Sequence, residues 1–300
     1  MEKSVLEKIS RAIFHGLHSV QANDDYIFER LSTLLSTEHL KVEKEFFKNK
    51  QCLDAGCGSN ANATYNMLQM GAEKVIGFDL DETIFEHAPT RLKEFEGRFE
   101  LQVDNVLEMS FEDETFDFTH CAGVLHHTYD LFKGLDELTR VTKKGGMLFI
   151  ETYGKGGILR DFTSLLRKKY KEEKWFKALV DNLDHEELQN GFKWIVSEMT
   201  KHGDSFGEKI SDDVINTLVD KDMVLTIKDR ITSPVYYEHD YQELESCLKE
   251  HGFIQIERLT RYPNIKNIRR FLCPIYNEYE SAAAKILYGD STIQIKAVKS

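Results

Sequence analysis

No stretch of the sequence approaches the ~18 consecutive apolar residues that a membrane-spanning helix needs. The N-terminal Met1-Glu2-Lys3-Ser4-Val5-Leu6-Glu7-Lys8 mixes acid and base where a secretory leader carries an apolar run. The expectation is a soluble, cytoplasmic chain with no membrane partner. Cysteine is scarce: Cys52, Cys57, Cys121, Cys247 and Cys273 are scattered, odd in number and without C-x-x-C spacing. They read as reduced thiols, which argues against both a disulfide framework and a zinc site. Positive charge is short as well. Against 51 Asp and Glu stand 39 Lys and Arg, a net charge of −12, whereas a generic nucleic-acid surface needs cations in excess to neutralise phosphates. The sequence also lacks internal repeats and low-complexity tracts.

What is present divides into four parts. Residues 1–50 read as an N-terminal helical cap, with Val5, Ile9, Ala12, Ile13 and Phe14 at helical spacing and Ile27, Leu31, Leu34 and Leu35 in a second segment. In 51–154 short apolar runs alternate with helical segments: Cys52-Leu53, Lys74–Phe78, Phe99–Val103, Phe116–Thr119 and Met147–Ile150. Strand-helix alternation predicts a parallel, doubly wound α/β sheet. Residues 155–232 contain charged helical stretches without a strand pattern and read as a helical insertion. Residues 233–300 resume the sheet, with a helix over 241–251 and strands at Phe253–Ile256 and Thr292–Val298.

In such a sheet ligands bind beyond the carboxyl ends of the strands. Asp54 and the loop Gly56-Cys57-Gly58 end the first strand, Asp79 the second, Asp104 follows the third and Cys121 the fourth. The loop feeds a helix N-terminus and suits an adenosine-bearing cofactor. Asp79 lies about 20 residues past the glycines, where a carboxylate accepts from both ribose hydroxyls. Asp104 is placed to meet an adenine amino group. Gly56-x-Gly58-x-x-Ala61 also fits a relaxed dinucleotide fingerprint, but Asp54 puts an acid beside the loop, which suits a cationic sulfonium and opposes a pyrophosphate.

With Val124-Leu125-His126-His127 after the fourth strand and Arg140-Val141-Thr142-Lys143-Lys144-Gly145-Gly146 before the fifth, the chain resembles the class I S-adenosylmethionine-dependent methyltransferases. Within them it is similar to the small-molecule group that shares an acid-x-G-x-G loop, a V-L-H-H run and an R-V-L-K-P-G-G turn. The resemblance spans residues 48–152 and the C-terminal strands. It implies a Rossmann-like seven-stranded sheet, mostly parallel with the last strand antiparallel, and S-adenosylmethionine as cofactor with no metal. It further implies that Gly56, Cys57 and Gly58 back the methionine and ribose, that Asp79 holds the ribose and Leu80 packs on the nucleoside, and that Asp104, Asn105 and Val106 edge the adenine. Asn60 departs from a third glycine, and Thr142-Lys143-Lys144 from leucine-lysine-proline.

The expected reaction is in-line attack of an acceptor nucleophile on the sulfonium methyl, with His126 or His127 as general base where the acceptor starts protonated. Tyr153 is a candidate for the acceptor pocket. Arg269 and Arg270, in the one strongly basic stretch, are candidates for an anionic acceptor group. The main expectation is a small-molecule acceptor, anionic or aromatic, methylated at oxygen, nitrogen or carbon. A macromolecular acceptor such as tRNA or protein is the second reading, and a non-catalytic binder or an NAD-dependent enzyme the third.

Overall fold

The structure is a computed structural model that describes residues 24–32, 34–259 and 278–300, together with Lys8, Arg11 and His15. The chain divides into two compact units. Met1–Lys155, Pro234–Arg261 and Asp290–Ser300 form one, and Gly156–Ser233 with Tyr262–Gly289 the other.

The first unit is built on a seven-stranded sheet of order β3-β2-β1-β4-β5-β7-β6. Its strands are β1 (Gln51–Ala55), β2 (Lys74–Asp79), β3 (Phe99–Val103), β4 (Phe116–Ala122), β5 (Thr142–Tyr153), β6 (Phe253–Leu259) and β7 (Thr292–Lys299). The first five pair in parallel, and β7 runs antiparallel between β5 and β6. The strand order reverses between β1 and β4, the switch point where the carboxyl ends leave a crevice.

Each central strand is buried on both faces, and the two faces feed different cores. Cys52, Val75, Phe118 and Phe149 pack with Phe47, Met67, Leu68 and Leu92, while the adjacent Leu53, Leu148 and Ile150 pack with Leu135, Leu138, Leu244 and Leu248. That split follows from the two-residue period of a strand. The helices supply the matching stripes. In α4 (Leu131–Val141) the positions Leu131, Gly134, Leu135, Leu138 and Val141 are buried, and the Asp130 side chain caps the first turn by accepting from Lys133 N at 3.0 Å. The earlier helices of this unit are α1 (Asp25–Ser32), α2 (Asn62–Gln69) and α3 (Ile84–Arg91).

Among its described residues the second unit contains helices and no strand: α5 (Ile158–Glu172), α6 (Lys174–Asp181), α7 (His185–Lys201), α8 (Asp212–Leu218), α9 (Lys221–Thr232) and α11 (Ala282–Tyr288). Side-chain caps from Asp184, Ser211 and Asp220 start α7, α8 and α9. Arg167 is buried and donates to the carbonyls of Arg230 and Ser233, tying α5 to the end of α9. The remaining helix of the sheet unit, α10 (Tyr241–Glu250), opens with a capping box formed by Asp240 and Glu243.

Candidate functional site

A cavity opens at the carboxyl ends of β1, β2, β3 and β4. Of the residues singled out from the sequence, Gly56, Asp79, Leu80, Asp104, Asn105, Val106 and His127 line it. Asp54, Cys57, Gly58, Cys121, His126 and Tyr153 do not, and Arg269 and Arg270 lie outside the described residues.

The glycine loop is strapped to the neighbouring strand, because Gly56 N and Cys57 N both donate to Phe78 O, at 2.8 and 2.9 Å. Gly56 has φ +79°, and a Cβ built there would lie 2.2 Å from Val124 Cγ2. The glycine is thus required by the packing of Val124, itself a wall of the cavity. Gly58 N donates to Asp79 Oδ2 at 3.1 Å and Asp81 N to Asp79 Oδ1 at 3.1 Å. These two bonds fix the carboxylate, and each of its oxygens keeps a second acceptor site for a ligand hydroxyl.

The Asp54 carboxylate stands elsewhere than expected. It is 1% exposed; Oδ2 accepts from Thr64 N (2.9 Å) and Thr64 Oγ1 (2.8 Å), and Oδ1 meets His120 Nδ1 at 2.9 Å. The His120 ring stacks on Phe149 with centroids 5.3 Å apart and planes 3° off parallel. Asp54 therefore ties the end of β1 to α2 and β4 and does not present its charge to the cavity. The two cysteines also stand outside the lining of the cavity. Burial, with Asp54 and Asp79 close by, pushes the Cys57 thiol well above its usual range, and Cys121 is fully buried in the core with its pKa likewise raised by burial and Asp54. The β4 wall of the cavity is Ala122, Gly123 and Val124.

Asp104 shapes the loop after β3. Its Oδ2 accepts from Ser110 N, Ser110 Oγ and Gln102 Nε2, and Oδ1 from Asn105 N. Asn105 Oδ1 in turn accepts from Leu107 N. The wall after β3 is thereby a folded turn carrying an acid.

The two histidines part company. His127 lines the cavity, and its Nδ1 lies 3.0 Å from Val235 O. A neutral ring so placed carries its proton on Nδ1 and its lone pair on Nε2. His126 is fully buried, stacked on Tyr153 with centroids 3.7 Å apart, with Nδ1 3.4 Å from Thr152 Oγ1. Tyr153 is thus a platform for His126 and also packs against Tyr236. Glu151, a carboxylate near the end of β5, accepts from Gln294.

Sequence reasoning missed several lining residues: Arg11, Asp81, Thr128, Tyr129 and Val235. Arg11 donates to Leu80 O, and His15 Nδ1 lies 3.1 Å from Asp81 Oδ2. Val235 acts through its backbone carbonyl, which no residue identity signals.

The crevice at the switch point and the fixed acid at the end of β2 define a nucleoside-binding doubly wound protein. Residues 53–150 match the family described as methyltransferase domain. A demethylmenaquinone methyltransferase of Bacillus cereus is 30% identical over 161 residues, which cover 48% of this chain and 68% of that protein. A tRNA U34 carboxymethyltransferase of Alteromonas mediterranea is 30% identical over 182 residues, 56% of this chain and 50% of that protein. An uncharacterized protein of Methanocaldococcus jannaschii is 28% identical over 138 residues, 46% of this chain and 53% of that protein. The chain therefore spans about half the length of the last two relatives. It belongs to the class I S-adenosylmethionine-dependent methyltransferases, and S-adenosylmethionine is its cofactor. The residues present fit that group: Asp79, fixed by the glycine loop, faces the same cavity as Asp104 and the apolar Leu80, Val106 and Val124.

Proposed function

We propose that the chain transfers a methyl group from S-adenosylmethionine to a small-molecule acceptor. The observation that carries this reading is the strand-end cavity in which Asp79, Asp104 and His127 stand on one wall system. Asp79 would hold the ribose hydroxyls, Leu80 and Val106 would pack on the nucleoside, and Asp104 with Asn105 would edge the adenine. The cofactor supplies an activated sulfonium methyl, so the protein's tasks are to position the acceptor, exclude water and remove a proton where the acceptor carries one. His127 is suited to the last task, because the Val235 carbonyl directs its Nδ1 proton inward and leaves Nε2 as the base. His126, buried under Tyr153, positions the turn and does not touch the reacting atoms.

Thermal unfolding of the whole chain tests the cofactor assignment. S-adenosylhomocysteine should raise the melting temperature, NADH should leave it unchanged, and Asp79→Ala should abolish the rise. Stabilisation by NADH, or an undiminished response in Asp79→Ala, overturns the reading.

A tRNA acceptor is the second reading, favoured by the carboxymethyltransferase relative, which gives the longer of the two 30% matches quoted. Salt-sensitive retardation of tRNA by the whole chain, lost in Arg269→Glu/Arg270→Glu, would decide for it. The net charge of −12 weighs on the other side.

A further inference from the structure

We propose that Asp136, Cys247 and His251 form a binding site for one divalent transition-metal ion of the zinc class, clamping α10 to α4 away from the cofactor cavity. Cys247 and His251 are four residues apart at the C-terminal end of α10, which puts them on one side of the helix. Asp136 on α4 completes the group, and one donor atom from each residue lies within 4.8 Å of the other two. Among the described residues no other group of three such side chains comes this close.

The imidazole is already oriented as a metal ligand. His251 Nδ1 lies 2.8 Å from Cys247 O, so its proton goes to that carbonyl, the outer bond that fixes the ring of a metal-bound histidine. Nε2 then faces Asp136 Oδ1 at 3.1 Å. The Cys247 sulfur stands 3.8 Å from His251 Nδ1. Thiolate, imidazole and carboxylate together form a donor set for zinc or cobalt rather than magnesium or calcium. Asp136 is exposed and His251 partly so, which leaves room for water as a fourth ligand. The sequence hides this site because its third ligand comes from a distant helix and no C-x-x-C spacing marks it.

The test is titration of the whole chain, stripped of metal, with cobalt(II) and then zinc(II). The expected result is one equivalent bound with a thiolate-to-cobalt charge-transfer band, bleached by zinc and absent from Cys247→Ser. Zinc affinity should fall at least tenfold, roughly the size of losses from perturbing a metal site, in Cys247→Ser, His251→Gln and Asp136→Asn. Asp136→Asn, a surface change, keeps the test open should a helix variant fail to fold. No charge-transfer band, a band that persists in Cys247→Ser, or equal zinc affinity in wild type and Asp136→Asn overturns the proposal.

Discussion

Replacing Gly56 by alanine should be costly for two separable reasons. The first is backbone: at φ +79° a Cβ crowds its own chain, about 1–2 kcal/mol for an L-residue in the left-handed region. The second is packing. The new Cβ would lie 2.2 Å from Val124 Cγ2 and 3.3 Å from Cβ and Cγ1, and valine is stiff at χ1, so the overlap is relieved only by moving the chain, about 1–3 kcal/mol. Gly56→Ala should therefore cost roughly 2–5 kcal/mol in all. Val124→Ala removes the clashing methyls and should cost about 1–2 kcal/mol by itself. In the double variant the overlap part should vanish and the backbone part remain, giving a coupling of about 1–3 kcal/mol in the double-mutant cycle. Trp175 and Trp194 both lie in the helical unit, so tryptophan fluorescence reports the wrong half of the chain. Hydrogen exchange of the β1 and β2 amides is the proper assay, since it reads opening of the sheet itself. Equal cost of Gly56→Ala with and without Val124→Ala would refute the steric reasoning.

Two further outcomes are expected. Asp54→Asn keeps the shape but turns three charge-assisted contacts into neutral ones, so β1 should lose about 1–3 kcal/mol of exchange protection. Binding of S-adenosylhomocysteine, followed by calorimetry, should weaken with it even though Asp54 lines no part of the cavity; unchanged stability would sink this account. Glu137 accepts from Arg140 and from Met109 N, and those bonds hold its pKa below the usual carboxylate value. A carboxylate with a depressed folded-state pKa contributes stability that is full above the unfolded value and is lost as pH falls through the folded one. Urea unfolding from neutral pH into acid should thus show a loss of stability that Glu137→Gln lacks, the variant being weaker by about 1.5–3 kcal/mol at neutral pH and level with wild type in acid. A parallel pH dependence in the two proteins contradicts the assignment.

The sheet was legible because apolar runs and helical stripes alternate, and because Cys52 and Leu53, adjacent in sequence, fall into cores on opposite faces. The end of β2 was legible too, since spacing from the glycines puts Asp79 beside the loop. Asp54 was legible as an acid at the end of β1 but not in direction: a strand residue has two faces, and only the partners, Thr64 and His120, reveal which one it uses. His120 gave no signal within an apolar strand, and Val235 acts through a backbone atom common to every residue. This shift in Asp54 changes where the cavity's charge comes from without changing its sign. The lining acids are Asp79, Asp81 and Asp104, and Arg11 is the cation among the lining residues. Arg11 is turned to the Leu80 carbonyl, and Asp81 has His15 at its carboxylate. A wall with three acids and one arginine still repels a pyrophosphate and favours a ligand that carries positive charge. The acidity first read from Asp54 therefore belongs to the ends of β2 and β3.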